Sequence, residues 1–278
     1  LIIGFSYARR ANKSSSEYFL GGRKVGPWFT ALSAEASDMS GYLLMGLPGL
    51  AYFTGAADAG WTCIGLALGT YFNWLLVAKR LRRYSEKAND SITLPGFYSN
   101  RFHDTKNVVS TVAAVIILIF FCVYTGSCFV TCGKLFNTLF GMDYTVMMIF
   151  GAIIVFLYTM VGGYLSVVAT DFVQGCLMFF ALAVVVIGSI AMAGGVENTA
   201  AFLSDIPGYL SMVQMATPEV DADGVQYLLG GAPVFGIPAE YGLLTIISTL
   251  SWGLGYFGMP QVLVRFMGIR NDGEIKTS

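Results

Sequence analysis

The sequence predicts an all-α polytopic membrane protein, and three observations carry that prediction. Of 278 residues, 55% are apolar and 12% charged, about half the ~25% charge of a soluble domain. Mean hydropathy is +0.66. Apolar runs such as Trp61–Ala78, Val108–Thr131 and Phe172–Ala193 approach the roughly 20 residues that cross a hydrocarbon core. A membrane barrel would instead show alternating segments of about ten residues, and the chain has none.

Residues 1–278 read as one transmembrane domain with about six full spans and the end of an earlier one. Leu1–Ala8 is too short to cross, and a basic loop, Arg9–Gly26, follows it. This opening lacks the basic start and small-residue cleavage site of a signal peptide. The chain begins inside a helix and stops at Ser278 in a polar run, the pattern of a piece cut at both ends. The second span is expected over Pro27–Leu50 and the third over Trp61–Ala78. A second basic loop, Lys79–Lys106, leads to the fourth span, Asn107–Lys134. The fifth, Tyr144–Val161, meets the sixth, Tyr164–Ala193, at a Gly162-Gly163 turn. Pro207, Pro218, Pro233 and Pro238 punctuate a polar segment, 194–240, expected to be an external loop with short helices. A seventh span, Tyr241–Met267, follows.

Charge supports this count. All Lys and Arg residues except Lys134 fall in three groups: Arg9–Lys24, Lys79–Lys106 and Arg265–Lys276. The span count places all three on one side, which the positive-inside tendency makes cytoplasmic. The stretch Glu197–Glu240 holds Asp205, Glu219, Asp221 and Asp223 and no Lys or Arg, as an outer segment should. The expected location is the cell membrane, with basic loops inside and no nucleic-acid partner.

Two spans are built to break. The second contains Ser40-Gly41, then Gly46, Pro48 and Gly49; the seventh contains Gly253, Gly255, Gly258 and Pro260. In a helix interior glycine costs about 1 kcal/mol and proline about 3 kcal/mol. In lipid the freed backbone groups must also be satisfied by protein or by a cavity. A single Gly-Pro break is explained equally well by a kink or close packing. Interrupted segments five spans apart suggest instead the two halves of a five-plus-five inverted repeat around a midplane binding site. Freed carbonyls there suit a small cation, and helix-end amides suit a carboxylate.

Intramembrane acids usually line a polar pathway or pair with a cation. Asp38, three residues before Gly41, either adds negative charge on a cation's route or pairs and caps locally. Glu35, a turn earlier, is expected to reach cytoplasmic water. Asp171 is a second candidate on an inward ion path; its alternative is a first-turn acid complementing the helix dipole. Tyr42, Tyr124, Trp252 and Tyr256 suit an apolar wall with polar tips, although such aromatics usually pack. The five cysteines lie in or beside apolar segments without CxxC spacing, so packing is their expected role. With His103 the only histidine, a Cys/His zinc site is not expected. The chain offers no nucleophile–base pair, so an enzyme is not expected.

Tyr18-Phe19-Leu20-Gly21-Gly22-Arg23, Gly26-Pro27, and ALSAEASDMSGYLLMGLPG over 31–49 open a longer pattern. It continues through Leu94-Pro95, Arg101-Phe102, Tyr158-Thr159, Gly162-Gly163, Thr170-Asp171, Gln174 and SWGLGYFGMPQVLVRFM over 251–267. In order and spacing these pieces resemble the sodium/solute symporter family over essentially the whole chain. The resemblance implies a LeuT-type fold with one extra N-terminal helix, importing a small organic solute, L-proline or a relative, with Na+ as the co-transported ion. It implies that Asp38 confers sodium affinity and that Ala36 and Met39 ligate sodium through backbone carbonyls. Asp171 then matches a second acid on the ion path, and Arg23 a loop arginine linked to coupling. Ser40, Gly41, Tyr124, Trp252, Tyr256 and Pro260 match the solute pocket, as does Tyr42, where Trp is usual. Glu35 stands where a small residue is expected, and the remaining sodium ligands are expected on a later helix. One rival is a symporter-like sensor domain feeding a histidine kinase, which a kinase domain downstream would mark; another is a same-family symporter for another amino acid, a carboxylate or a sugar.

Overall fold

The computed structural model describes residues 2–278 and divides into two compact units, each taken separately below. The first unit comprises the chain up to Gly41, Phe72–Leu177 and Phe257–Ser278. It opens with α1 (Ile2–Ala11), which carries the first helix three residues further than the sequence suggests. The basic loop then folds into α2 (Ser15–Leu20), whose N-cap Ser14 accepts a hydrogen bond from the Glu17 amide. Gly21 and Gly22 take left-handed backbone (φ 66° and 62°) and turn the chain into α3 (Pro27–Asp38). Proline at N1 suits that start, because its missing N–H has no helical partner there.

The expected second span is two helices. α3 stops at Asp38, Met39 is extended, and Tyr42–Gly46 forms a π-helical turn before α4 (Leu47–Thr54). The third span begins earlier and ends later than Trp61–Ala78. It starts as α5 (Ala56–Asn73) and passes through a π-turn, Trp74–Ala78, into α6 (Lys79–Lys87), 32 residues without a break. The sequence misjudged its end because charge replaces apolar side chains at Lys79 while helix propensity does not fall. The second basic loop holds α7 (Leu94–Arg101), N-capped by Thr93.

α8 (Val108–Phe140) outruns the fourth span by six residues, and its most apolar window is 0% buried. Such an apolar exposed surface suits a bilayer as solvent. α9 (Tyr144–Met192) contains both the fifth and sixth spans, joined at Gly163, whose φ of 58° and ψ of −157° lie outside helical geometry. A Cβ there would meet the Tyr18 carbonyl at 2.8 Å. The first unit's core lies where Val25, Tyr164, Leu165 and Val168 pack together, with Tyr7 and Val264 against them.

The second unit comprises Tyr42–Tyr71 and Met178–Tyr256. Segment 194–240 holds the expected short helix and, in addition, strands that were not expected. After α10 (Val196–Ser204) it contains four two-residue strands. β1 (Gln214–Met215) pairs antiparallel with β4 (Ala239–Glu240), and β2 (Leu228–Leu229) with β3 (Ala232–Pro233). Strands this short leave almost no period-2 pattern to read. The Ala56 amide donates to Tyr209 O and the Ala216 amide to Thr54 O, so this segment is fastened over Thr54–Ala56. The expected seventh span is also broken: α11 (Leu243–Leu250), a 3-10 stretch over Ser251–Gly258, extended Met259, then α12 (Pro260–Gly268).

Candidate functional site

Both interruptions fall where the glycines and prolines placed them. At the first, Ala36 and Asp38 occupy the last turn of α3, while Met39 and Ser40 form the non-helical join. The helical ladder ends there, so the last-turn carbonyls lose their usual donors. Met39 N–H still reaches Glu35 O at 3.2 Å, and the Tyr124 hydroxyl on α8 donates to Ser37 O at 3.5 Å. Gly41 follows immediately, and Thr131 of α8 fills the space its Cβ would need. The first unit thus brings Ala36, Asp38, Met39, Ser40, Gly41 and Tyr124 into one neighbourhood. Glu35 is exposed on α3. Pro260 sits at the start of α12 beside extended Met259.

In the second unit Tyr42 and Trp252 face each other with ring centroids 4.7 Å apart, and Tyr256 is buried. The Tyr42 ring lies over Gly46, where a Cβ would meet it at 2.6 Å. The two aromatics line a cavity of about 640 Å³ shared with Asp58, Thr62, Ser248, Thr249 and Ser251. Asp58 accepts a 3.0 Å hydrogen bond from the Tyr241 hydroxyl, which lies 2.7 Å from Thr249 Oγ1. Gly65 and Gly69 of α5 meet the 3-10 stretch backbone to backbone: a Cβ on Gly253 would strike Gly65 O, and one on Gly69 would strike Gly253 O.

Asp171 is not an isolated first-turn acid. It lies buried in α9 and pairs with Arg265 of α12 at 3.2 Å. Ser33 donates to the same carboxylate oxygen at 2.6 Å and Ser37 at 3.3 Å. Arg265 Nε also donates to Ser33 Oγ, at 2.9 Å, and Nη2 to Ser37 Oγ, at 2.8 Å. Arg265, grouped by sequence with the basic loops, is therefore an interior residue; its guanidinium also lies 5.3 Å from the centre of the Tyr164 ring. Ser33 and Ser37, one turn apart in an apolar helix, were the available signal. A polar pair at i, i+4 marks one face.

Arg23 is 8% exposed at its side chain. It donates to Asp90 (2.7 Å), Ser85 Oγ (3.0 Å), Met267 O (2.8 Å) and Ser91 O (2.9 Å). Burial lowers its pKa from the ordinary arginine value; the hydrogen bond and charge of Asp90 oppose that, and the nearby Arg82 charge adds to it.

These features define a helical membrane protein with two interrupted helices, an acid beside one interruption, and a cavity lined by aromatic and polar side chains. The model of the sodium:solute symporter family matches residues 18–278, and the chain belongs to that family. It is 44% identical over 271 residues to sodium/proline symporters of Staphylococcus aureus, strains JH9 and NCTC 8325 / PS 47 among them. That match covers 98% of this chain and 48% of each relative, so the chain spans about half the length of the curated relatives it matches. A Na+-coupled sialic acid symporter, solved in a substrate-bound outward-open state, superposes with a TM-score of 0.72 at 17% identity. The alignment covers 99% of this chain and 52% of that one, and it shows a shared, LeuT-type all-α membrane fold.

Proposed function

We propose that the chain is part of a sodium-coupled secondary transporter that imports a small organic solute, L-proline or a close relative, by alternating access. The observation that carries this reading is the loss of helical geometry at Met39–Ser40, directly after Asp38, in a chain of this family. Carbonyls of Ala36 and Met39 with the Asp38 carboxylate offer hard oxygen ligands of the kind a small cation takes. For the solute, the first unit offers Ser40, Gly41, Tyr124 and Pro260, and the second unit offers the aromatics Tyr42, Trp252 and Tyr256. Asp171 lies on the ion path, and Arg23 acts in coupling. Sodium binding preorganises the first break for the solute. Each ligand favours the same state, so each tightens the other. The solute is proline-like because the relatives at 44% identity are proline symporters. Tyr42 is the residue that adjusts the pocket. The basic loops face the cytoplasm.

In proteoliposomes of the intact protein, uptake of labelled proline requires an inward sodium gradient, and uptake unchanged in sodium-free buffer sinks the reading. Asp38→Asn raises the sodium concentration for half-maximal uptake by about tenfold or more, the effect of ~1.4 kcal/mol; unaltered sodium dependence removes Asp38 from the ion site. Competition by a panel of unlabelled amino acids, carboxylates and sugars identifies the solute.

A further inference from the structure

The four consecutive carbonyls from Met267 to Arg270 are all held from outside α12. Met267 O accepts from Arg23 at 2.8 Å and Gly268 O from the Val25 amide at 3.3 Å. Ile269 O accepts from Arg82 Nε at 2.7 Å, and Arg270 O from Arg82 Nη2 at 3.3 Å. Helix ends leave such carbonyls without internal partners, and cationic side chains near a C-terminus meet that need. Here the donors are remote in sequence and sit on other elements. Arg82, on α6, is only 7% exposed at its side chain. The bound segment is sealed as well: Phe266, Met267 and Ile269 are each 0% exposed.

The two arginines differ from Arg265 in where their counter-charges lie. The Arg265–Asp171 pair is 10% and 12% exposed, shut away at both ends. Arg82 pairs with Glu86 (2.7 Å, 62% exposed), and Arg23 with Asp90 (2.7 Å, 61% exposed). Each guanidinium can therefore swing toward water with its carboxylate still attached, releasing only neutral partners: backbone carbonyls and, for Arg23, the Ser85 hydroxyl. Withdrawing Arg265 would strand a buried charge. At its other end α12 begins beside extended Met259, a ready pivot.

We propose that Arg82, together with Arg23, is a releasable latch: it clasps the carbonyls at the end of α12 and so holds the inner half of the second broken helix closed. Arg82 is then a positioning residue, acting on the ion and solute through α12. The latch rests on the transport reading for its purpose, but its test needs no gradient, so failure of either leaves a distinct result.

The test measures maleimide labelling of the intact protein at two sites, Met267→Cys and native Cys132, with the other native cysteines replaced. Cys132, on α8, packs at Gly151 of α9, where a Cβ would meet its Sγ at 2.8 Å, and makes none of the clasp's hydrogen bonds. In Arg82→Gln, labelling at 267 quickens by about tenfold or more, as expected when the open state becomes populated, while Cys132 is unchanged. Arg82→Lys, which restores one donor group, falls between. Labelling at 267 that stays slow in Arg82→Gln overturns the latch, and so does a rise matched at Cys132, which marks general loosening.

Discussion

Gly41 shows how one hydrogen can decide a site. Thr131 of α8 occupies the volume a Cβ would take, with its own Cβ and Cγ2 each 2.8 Å from that point. Gly41→Ala removes a helix-weakening glycine, worth about 1 kcal/mol, but forces an overlap costing ~1–3 kcal/mol. The overlap wins, because Thr131 is anchored by its hydroxyl, which donates to Ser127 O at 2.9 Å. Thermal unfolding in detergent should show Gly41→Ala less stable than the parent. Thr131→Ala should recover part of the loss, since it removes two of the three clashing atoms. Gly41 was legible as a helix breaker, but Thr131 was not, because nothing in a sequence says which side chain fills a missing Cβ.

Among elements, α3, α9 and α12 are tied by Asp171, Arg265, Ser33 and Ser37. Breaking a buried ion pair from one side leaves an uncompensated charge, costing about 3–5 kcal/mol. Asp171→Asn and Arg265→Gln should each destabilise strongly, and the double variant by clearly less than the sum. A double-mutant cycle by thermal unfolding measures that coupling, and strict additivity would refute the pairing. The loop between α1 and α3 has its own electrostatic clasp: Glu17 binds Lys24 at 2.9 Å and Arg10 at 3.2 Å. The hydrogen bond from Lys24 lowers the Glu17 pKa from its ordinary 4.5, burial opposes that, and Arg10 adds to the lowering. A carboxyl depressed in the folded state contributes stability above its unfolded pKa and loses it as pH falls through the folded value. Limited proteolysis within 9–26 should therefore be pH-independent from neutrality to about pH 5 and accelerate below pH 4. The breaks themselves were readable because Gly and Pro act locally. The closing of the gap between basic α6 and its apolar parent α5 was not, because hydropathy changes there while the backbone continues.

At the scale of the molecule, composition is the strongest statement. A chain 55% apolar and 12% charged whose α8 exposes nearly all its apolar window has lipid as its solvent, not water. The basic residues set its expected orientation. In a cysteine-free background, Lys106→Cys should react with a membrane-impermeant thiol reagent applied to the cytoplasmic face only. Reaction from the outer face would invert the topology and with it the direction of the latch.

By itself the sequence determined the solvent, the two interruptions, the join at Gly163 and the family, because hydropathy, glycine, proline and short motifs are properties of neighbouring residues. Only the tertiary structure decided that Arg265 neutralises Asp171 across 94 residues and that Arg82 grips a carbonyl 187 residues away. A guanidinium's partners follow from which helix ends the folded chain brings within about 3 Å, and no local pattern encodes that distance.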